Sequence, residues 1–199
     1  MAVSRVKTSS ILQGFPKSRS LLAGNAAFIP NSFESIATAT GTGASAVITF
    51  SSIPSTYSSL QIRWNAKTTG TGTGATGINV TCNGITTSSY SYHDLMGNGT
   101  AASASGSATM TAIYFEHSAC LNGSTSIPAT GIMDILDYAS STKYKTFRSF
   151  QGVDLNGSGW IHLSSGSFQN TTAISSITIT AAAANFATTA QFALYGIKG

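Results

Sequence analysis

The sequence predicts an all-β protein: an antiparallel β-sandwich preceded by an extended N-terminal arm. Three observations predict it. Only 8% of the chain is charged, against about 25% in an ordinary soluble domain. Hydroxyl residues take that place, with 31 Ser and 27 Thr among 199 residues. Apolar residues then recur at period two in short segments, separated by Gly, Asn and Ser. Period two is the side-chain repeat of a strand with one buried face. Thr, Val, Ile, Phe and Tyr suit such a pleated surface, and Gly, Asn and Ser supply its turns.

The same composition excludes other classes. A helical bundle needs Glu, Lys and Arg on its solvent faces. A nucleotide-handling α/β enzyme needs acids and bases at its site. No apolar run reaches the roughly 18 residues of a membrane span, so no membrane partner is expected. At 42% apolar and periodic, the chain is not expected to be disordered.

The first segment, residues 1–32, is read as an anchoring arm. The net charge of +4 lies entirely here, in Arg5, Lys7, Lys17 and Arg19, and the first acid is Glu34. Beyond residue 33, six cations balance six anions. The arm lacks the continuous apolar core of a secretory signal. Its acid-free, Ser-containing composition also suits a transit peptide. Ile11, Leu12, Phe15, Leu21, Leu22 and Phe28 are too apolar for a free tail, and Pro16 and Pro30 disfavour helix. The expectation is a retained, extended segment that docks on a partner or on the body. Nucleic acid is not the expected partner, because the four cations have no aromatics interleaved with them.

The body, residues 33–199, reads as about ten strands: 33–40, 45–51, 57–67, 77–82, 109–117, 130–138, 143–152, 159–164, 173–180 and 190–197. The clearest is 57–67. There Leu60, Ile62, Trp64 and Ala66 share one face, while Gln61, Arg63, Asn65 and Lys67 share the other. The breaks 68–77 and 97–108, rich in Gly, Thr, Ser and Ala, read as flexible loop tips. Asn122-Gly123-Ser124 and Asn156-Gly157-Ser158-Gly159 read as tight turns, and Ala181–Ala184 as one helical turn. Cys82 and Cys120 form neither a disulfide framework nor a metal knuckle. Two buried small hydrophobes are expected, with a single disulfide left open.

No catalytic constellation emerges, and no enzyme, cofactor or metal is expected. His93-Asp94 and Glu116-His117 are adjacent pairs, and neighbours on a strand point to opposite faces. The chain has no G-x-S-x-G, H-E-x-x-H, Walker, C-x-x-C or calcium-loop motif. The five N-x-S/T sequons are expected by chance in so Asn-, Ser- and Thr-rich a chain. A glycan contact patch is the alternative reading, formed by Tyr90, Tyr92, His93 and Trp160 beside Gly/Ser loops. Aromatic packing across strands competes with it.

Four stretches carry a resemblance: Ser52–Arg63 (SIPSTYSSLQIR), Gly152–Gly159 (GVDLNGSG), Ser165–Ile177 (SGSFQNTTAISSI) and Phe192–Lys198 (FALYGIK). Together they resemble virion structural proteins of tailed bacteriophages, many from cyanophages and other aquatic phages. The resemblance spans roughly residues 33–199. It implies a jelly-roll-like module on the particle surface, as head decoration or cement protein, short tail fibre or adaptor, with other virion proteins held through the arm. It transfers no site residues. Few charges guard the sheet edges, so a homo-oligomer is expected, with threefold symmetry the favoured arrangement.

Overall fold

A computed structural model describes residues 32–121 and 127–198. Twelve strands are found: β1 (Phe33–Thr40), β2 (Val47–Phe50), β3 (Ser59–Ala66), β4 (Ala75–Cys82), β5 (Tyr90–Gly97), β6 (Ala102–Met110), β7 (Ile113–Cys120), β8 (Ala129–Leu136), β9 (Lys145–Asp154), β10 (Gly159–Phe168), β11 (Ile177–Ala181) and β12 (Gln191–Ile197). Eight form one sheet in the order β1-β12-β3-β8-β9-β10-β5-β6, and four form the other in the order β2-β11-β4-β7. Every pairing between named strands is antiparallel. Helix is absent among the described residues. The body is therefore an all-β, two-sheet sandwich. The arm assigned to residues 1–32 falls, but for Ser32, outside the described residues, and so does the turn at 122–124.

Period two accounts for the core. Leu60, Ile62, Trp64 and Ala66 of β3 are all buried, as their phase requires. They meet Ile78 and Val80 of β4, Ile113 and Phe115 of β7, and Ile177 and Ile179 of β11. Three side chains tie the sheets together by hydrogen bonds as well. Trp64 Nε1 donates to Ser118 O at 2.9 Å. The Tyr90 hydroxyl accepts from Cys82 N at 2.9 Å and donates to Ile85 O at 2.9 Å. The third tie joins two histidines and is described below. Cys82 and Cys120 are both buried, and no disulfide joins them. Cys120 lies opposite Ala75, at the other end of β4 from Cys82, so about 23 Å of strand separates them. A disulfide reaches only about 7 Å between Cα atoms.

Two expectations fail. The segment 97–108 is not a flexible loop: the hairpin β5–β6 turns at Asn98-Gly99-Thr100-Ala101, and β6 continues to Met110. Asn98 Oδ1 accepts from the backbone N of Thr100 and of Ala101 at 3.0 and 2.9 Å, the side-chain-closed turn that Asn forms readily. Gly99 supplies the positive φ of 87°. A strand of Ala, Ser and Gly has no apolar contrast between its faces, so its period leaves no trace in the sequence. Ala181–Ala184 forms no helical turn either. Ala181 ends β11, and Ala184 sits at φ 60°.

One buried charge fastens the sandwich. Lys145 opens β9 on its inward phase and is fully buried. Its ammonium donates to the carbonyls of Ser140, Lys143 and Thr171 at 2.5, 2.8 and 3.0 Å. Three acceptors fill the three donors of an ammonium, although burial still pulls its pKa downward. Lys145→Met keeps the stem and takes the ammonium away from all three carbonyls. It is expected to destabilise the fold by about 2–4 kcal/mol. In urea titration the midpoint falls while the slope is unchanged; an unaltered midpoint contradicts this account.

Candidate functional site

Beneath β9, β10 and β5 the sandwich is inside out. The pairing of β9 with β10 runs ten residues without a bulge, from Gly159–Asp154 to Phe168–Lys145. Phe168 and Phe147 point into the core and are fully buried. Unbroken alternation then sends His162 and Ser164 of β10, with Ser149 and Gln151 of β9, inward as well. All four are buried. On β5 the same phase carries Tyr90 and Asp94 inward. Ile161, Leu163, Phe150 and Leu95 occupy the opposite phase and are 53–57% exposed.

The inward polar residues form one chain of hydrogen bonds. Ser149 Oγ donates to Gln151 Oε1, and Gln151 Nε2 donates to Ser164 Oγ at 3.0 Å. Ser164 Oγ donates to Asp94 Oδ1. Asp94 Oδ2 accepts from His162 Nδ1 at 2.7 Å, and His162 Nε2 lies 2.9 Å from His117 Nδ1. With both rings neutral the tautomers follow in sequence: Nδ1–H of His162 faces the carboxylate, and its Nε2 accepts from Nδ1–H of His117. The free lone pair therefore ends on His117 Nε2. His117 belongs to β7 in the other sheet, so this relay is the third inter-sheet tie. Trp160 closes it, stacked on the His117 ring at 4.1 Å between centroids and 6° between planes.

A backbone irregularity aims His117 at its partner. Between the pairs Thr76–Ala119 and Ile78–Phe115 the β4–β7 register shifts, and His117 takes φ 49°. Positive φ in a non-glycine residue costs roughly 1–3 kcal/mol and persists where surrounding contacts hold it. Here the contacts are the Trp160 stack and the His162 hydrogen bond. Burial lowers the pKa of His117 to about 4; the neighbouring His162 adds to this and the Asp94 carboxylate opposes it. Neutral His117 is thus the ground state at pH 7. The relay can hold a proton between Asp94 and His162 and offers one weakly basic nitrogen at its outer end. Among the described residues, no group of three His, Cys, Asp or Glu side chains is arranged to hold a metal.

Of the sequence-derived glycan residues, Tyr90 is fully buried and stacks on Phe168 at 4.9 Å. It cannot touch a ligand, because its hydroxyl is spent on the other sheet. Tyr92 is half-buried against Tyr114. Trp160 is half-buried on the relay, and His93 alone is exposed, on the outer face. The four share no surface. In the pair His93-Asp94 the histidine is exposed and the aspartate buried, and Asp94, His162 and His117 meet across three strands, which spacing in sequence could not reveal. The signal that was present is the pattern Ile161-His162-Leu163-Ser164, in which the apolar phase opposes that of Phe168. No protein-family model, curated protein or solved structure matches this chain.

Outside, the apolar residues line up. Ala104, Leu95, Leu163, Phe150 and Ile132 are direct cross-strand neighbours on β6, β5, β10, β9 and β8. Four strand spacings make this rung about 19 Å long. Ile161 adds to it on one side. On the other side, His93, Ser165, Arg148, Asp134 and Gln61 form a parallel polar rung. Gln61 Nε2 donates to Asp134 Oδ1 at 2.8 Å. Arg148 is exposed and has no salt bridge among the described residues. Rows of exposed aliphatics are uncommon on monomers and mark contact surfaces.

The relay predicts a pH dependence. His117 binds its proton near pH 4 when folded and near 6.5 when unfolded. The unfolded chain therefore takes up the proton first as pH falls, and stability declines from about pH 6.5 down to about pH 4, by at most about 3 kcal/mol. Asp94 and His162 are the titratable groups that act on it. His117→Asn tolerates the left-handed backbone and removes the titration. Thermal melts across this window should slope less in the variant; equal slopes would refute the assignment.

Proposed function

We propose that the protein is a non-enzymatic structural component of a tailed-bacteriophage particle, displayed on its surface and held by its N-terminal arm. The observation that carries this reading is the exposed aliphatic rung on the outer face of a neutral, hydroxyl-coated sandwich. Fully burying one such side chain contributes about 1.5–3 kcal/mol. Covering the exposed halves of Leu95, Leu163, Phe150 and Ile161 is then worth several kcal/mol to an assembly and nothing to an isolated domain. The resemblance of residues 33–199 to virion structural proteins supports the same reading. So does the scarcity of charge, since a surface with few ion pairs has little for salt to screen. The acid-free arm, with its Ile11, Leu12, Phe15, Leu21, Leu22 and Phe28, supplies a second apolar contact.

Deletion of residues 2–30 should leave a folded, soluble body that no longer enters particles. Incorporation at the normal level would refute the anchoring role. Separately, Phe150→Lys and Leu163→Lys replace exposed side chains. They should leave the melting temperature nearly unchanged and reduce incorporation at least tenfold in a particle-binding assay. Full incorporation of both would remove the rung from the reading.

A further inference from the structure

Among the described residues, three of the four sheet edges are protected against pairing with another chain, and the fourth, β6, is interrupted only at its far end, where the register shifts between Ser107 and Met110 and Thr109 takes φ 58°. The edge strand β1 is bulged between Ser35 and Ala37 and carries Glu34, paired with Lys198 at 2.6 Å. The edge strand β2 is only four residues long. The edge strand β7 is bent by its own bulge, and its end is bridged by Lys67. Bulges, charges and shortness are the usual means of blunting an edge. β6 has nine residues, Ala102 to Met110, with no charge and no proline. It pairs with β5 in regular register from Ala102 to Ser107. Seven of its nine residues are exposed, on both faces of the sheet, so β6 overhangs the smaller sheet, and among the described residues its outer backbone edge is open along Ala102–Ser107.

We infer that β6 is the self-association edge, and that two copies join antiparallel β6 strands about a twofold axis at Ala104. The occupant is a second copy because this strand complements itself. With the axis at Ala104, Ala104 faces Ala104, Ser103 faces Ser105 and Ala102 faces Gly106. Every facing pair is small, and no like charges meet. The outer face gives a second argument. The aliphatic rung ends at Ala104, so the twofold axis joins two five-residue rungs into one continuous ten-residue row. The two eight-stranded sheets become a single sheet of sixteen strands. Such a contact is isologous and closes at two copies, which departs from the threefold arrangement expected from the sequence. It stands apart from the virion reading and is tested without particles.

Sedimentation of the full-length chain should give twice the monomer mass. Ser103→Lys combined with Ser105→Lys sets like charges face to face twice and should halve that mass with the circular dichroism spectrum unchanged. Leu163→Lys, on the same outer face but off the edge, should keep the doubled mass. A monomeric wild-type chain, a dimer that survives the two lysines, or a dimer lost in Leu163→Lys overturns the inference. Oxidative cross-linking provides a test that needs no loss of association. Opposed Cα atoms in an antiparallel pair lie about 4.5–5.5 Å apart, within disulfide reach. Ala104→Cys, on the axis, should cross-link to its own copy. Ala102→Cys, roughly 14 Å from its copy, should not. Equal cross-linking of the two, or none at Ala104→Cys, also overturns it.

Discussion

The unbroken ten-residue pairing of β9 with β10 is the constraint on which the rest depends. A strand has one phase, and only a bulge can change it. Phe147 and Phe168 fix that phase at one end by entering the core with Tyr90. No bulge intervenes, so His162, Ser164, Ser149 and Gln151 must enter the interior further along, and Ile161, Leu163 and Phe150 must leave it. The polar relay and the aliphatic rung are therefore two faces of one event. Reversing the phase would bury the aliphatics, but it would expel Phe147 and Phe168 and open the centre of the core.

A polar interior is stable only when every member is satisfied, because an unpaired buried group costs several times what a made hydrogen bond returns. The relay meets that condition from Ser149 through to His117. Each donor has an acceptor, and the chain ends at a half-buried ring covered by Trp160. Its one buried carboxylate, Asp94, receives Ser164 on one oxygen and His162 on the other. Thr68 Oγ1 is the one buried side-chain oxygen or nitrogen without a partner among the described residues, and it lies outside the relay. The left-handed backbone at His117 is the local strain that completes the network. The network in turn binds the small sheet to the large one between the main apolar core and the smaller cluster of Cys120, Ala129 and Val153.

How much of this the sequence discloses depends on contrast between neighbouring residues. β3 is legible because Leu60, Ile62, Trp64 and Ala66 alternate with polar side chains. β11 is legible for the same reason, with Ile177 and Ile179 alternating with Thr178 and Thr180. β6 is invisible because Ala, Ser and Gly look alike on both faces, and β5 is hidden with it, since Tyr90, Ser91, Tyr92 and His93 offer little apolar contrast either. The relay was invisible for a different reason. Asp94, His162 and His117 come from β5, β10 and β7, and only the sheet order and the β7 bulge bring them together. Trp160 and Tyr90 stand out in the sequence as large aromatics beside Gly- and Ser-rich breaks. Their roles, capping the relay and bridging the sheets, require knowledge of what lies opposite them.

The absence of charge connects the interior to the edges. In most soluble sandwiches, Lys and Glu both cover the outer face and guard the edges. Here hydroxyl groups take over the first task and cannot perform the second, since Ser and Thr neither repel a second strand nor block its hydrogen bonds. Protection therefore falls to backbone irregularity: the bulge in β1, the shortness of β2 and the bulge in β7. β6 has none of these along Ala102–Ser107, and it adjoins the aliphatic rung. The unguarded edge and the uncovered face lie side by side, so a partner that pairs with the first extends the second.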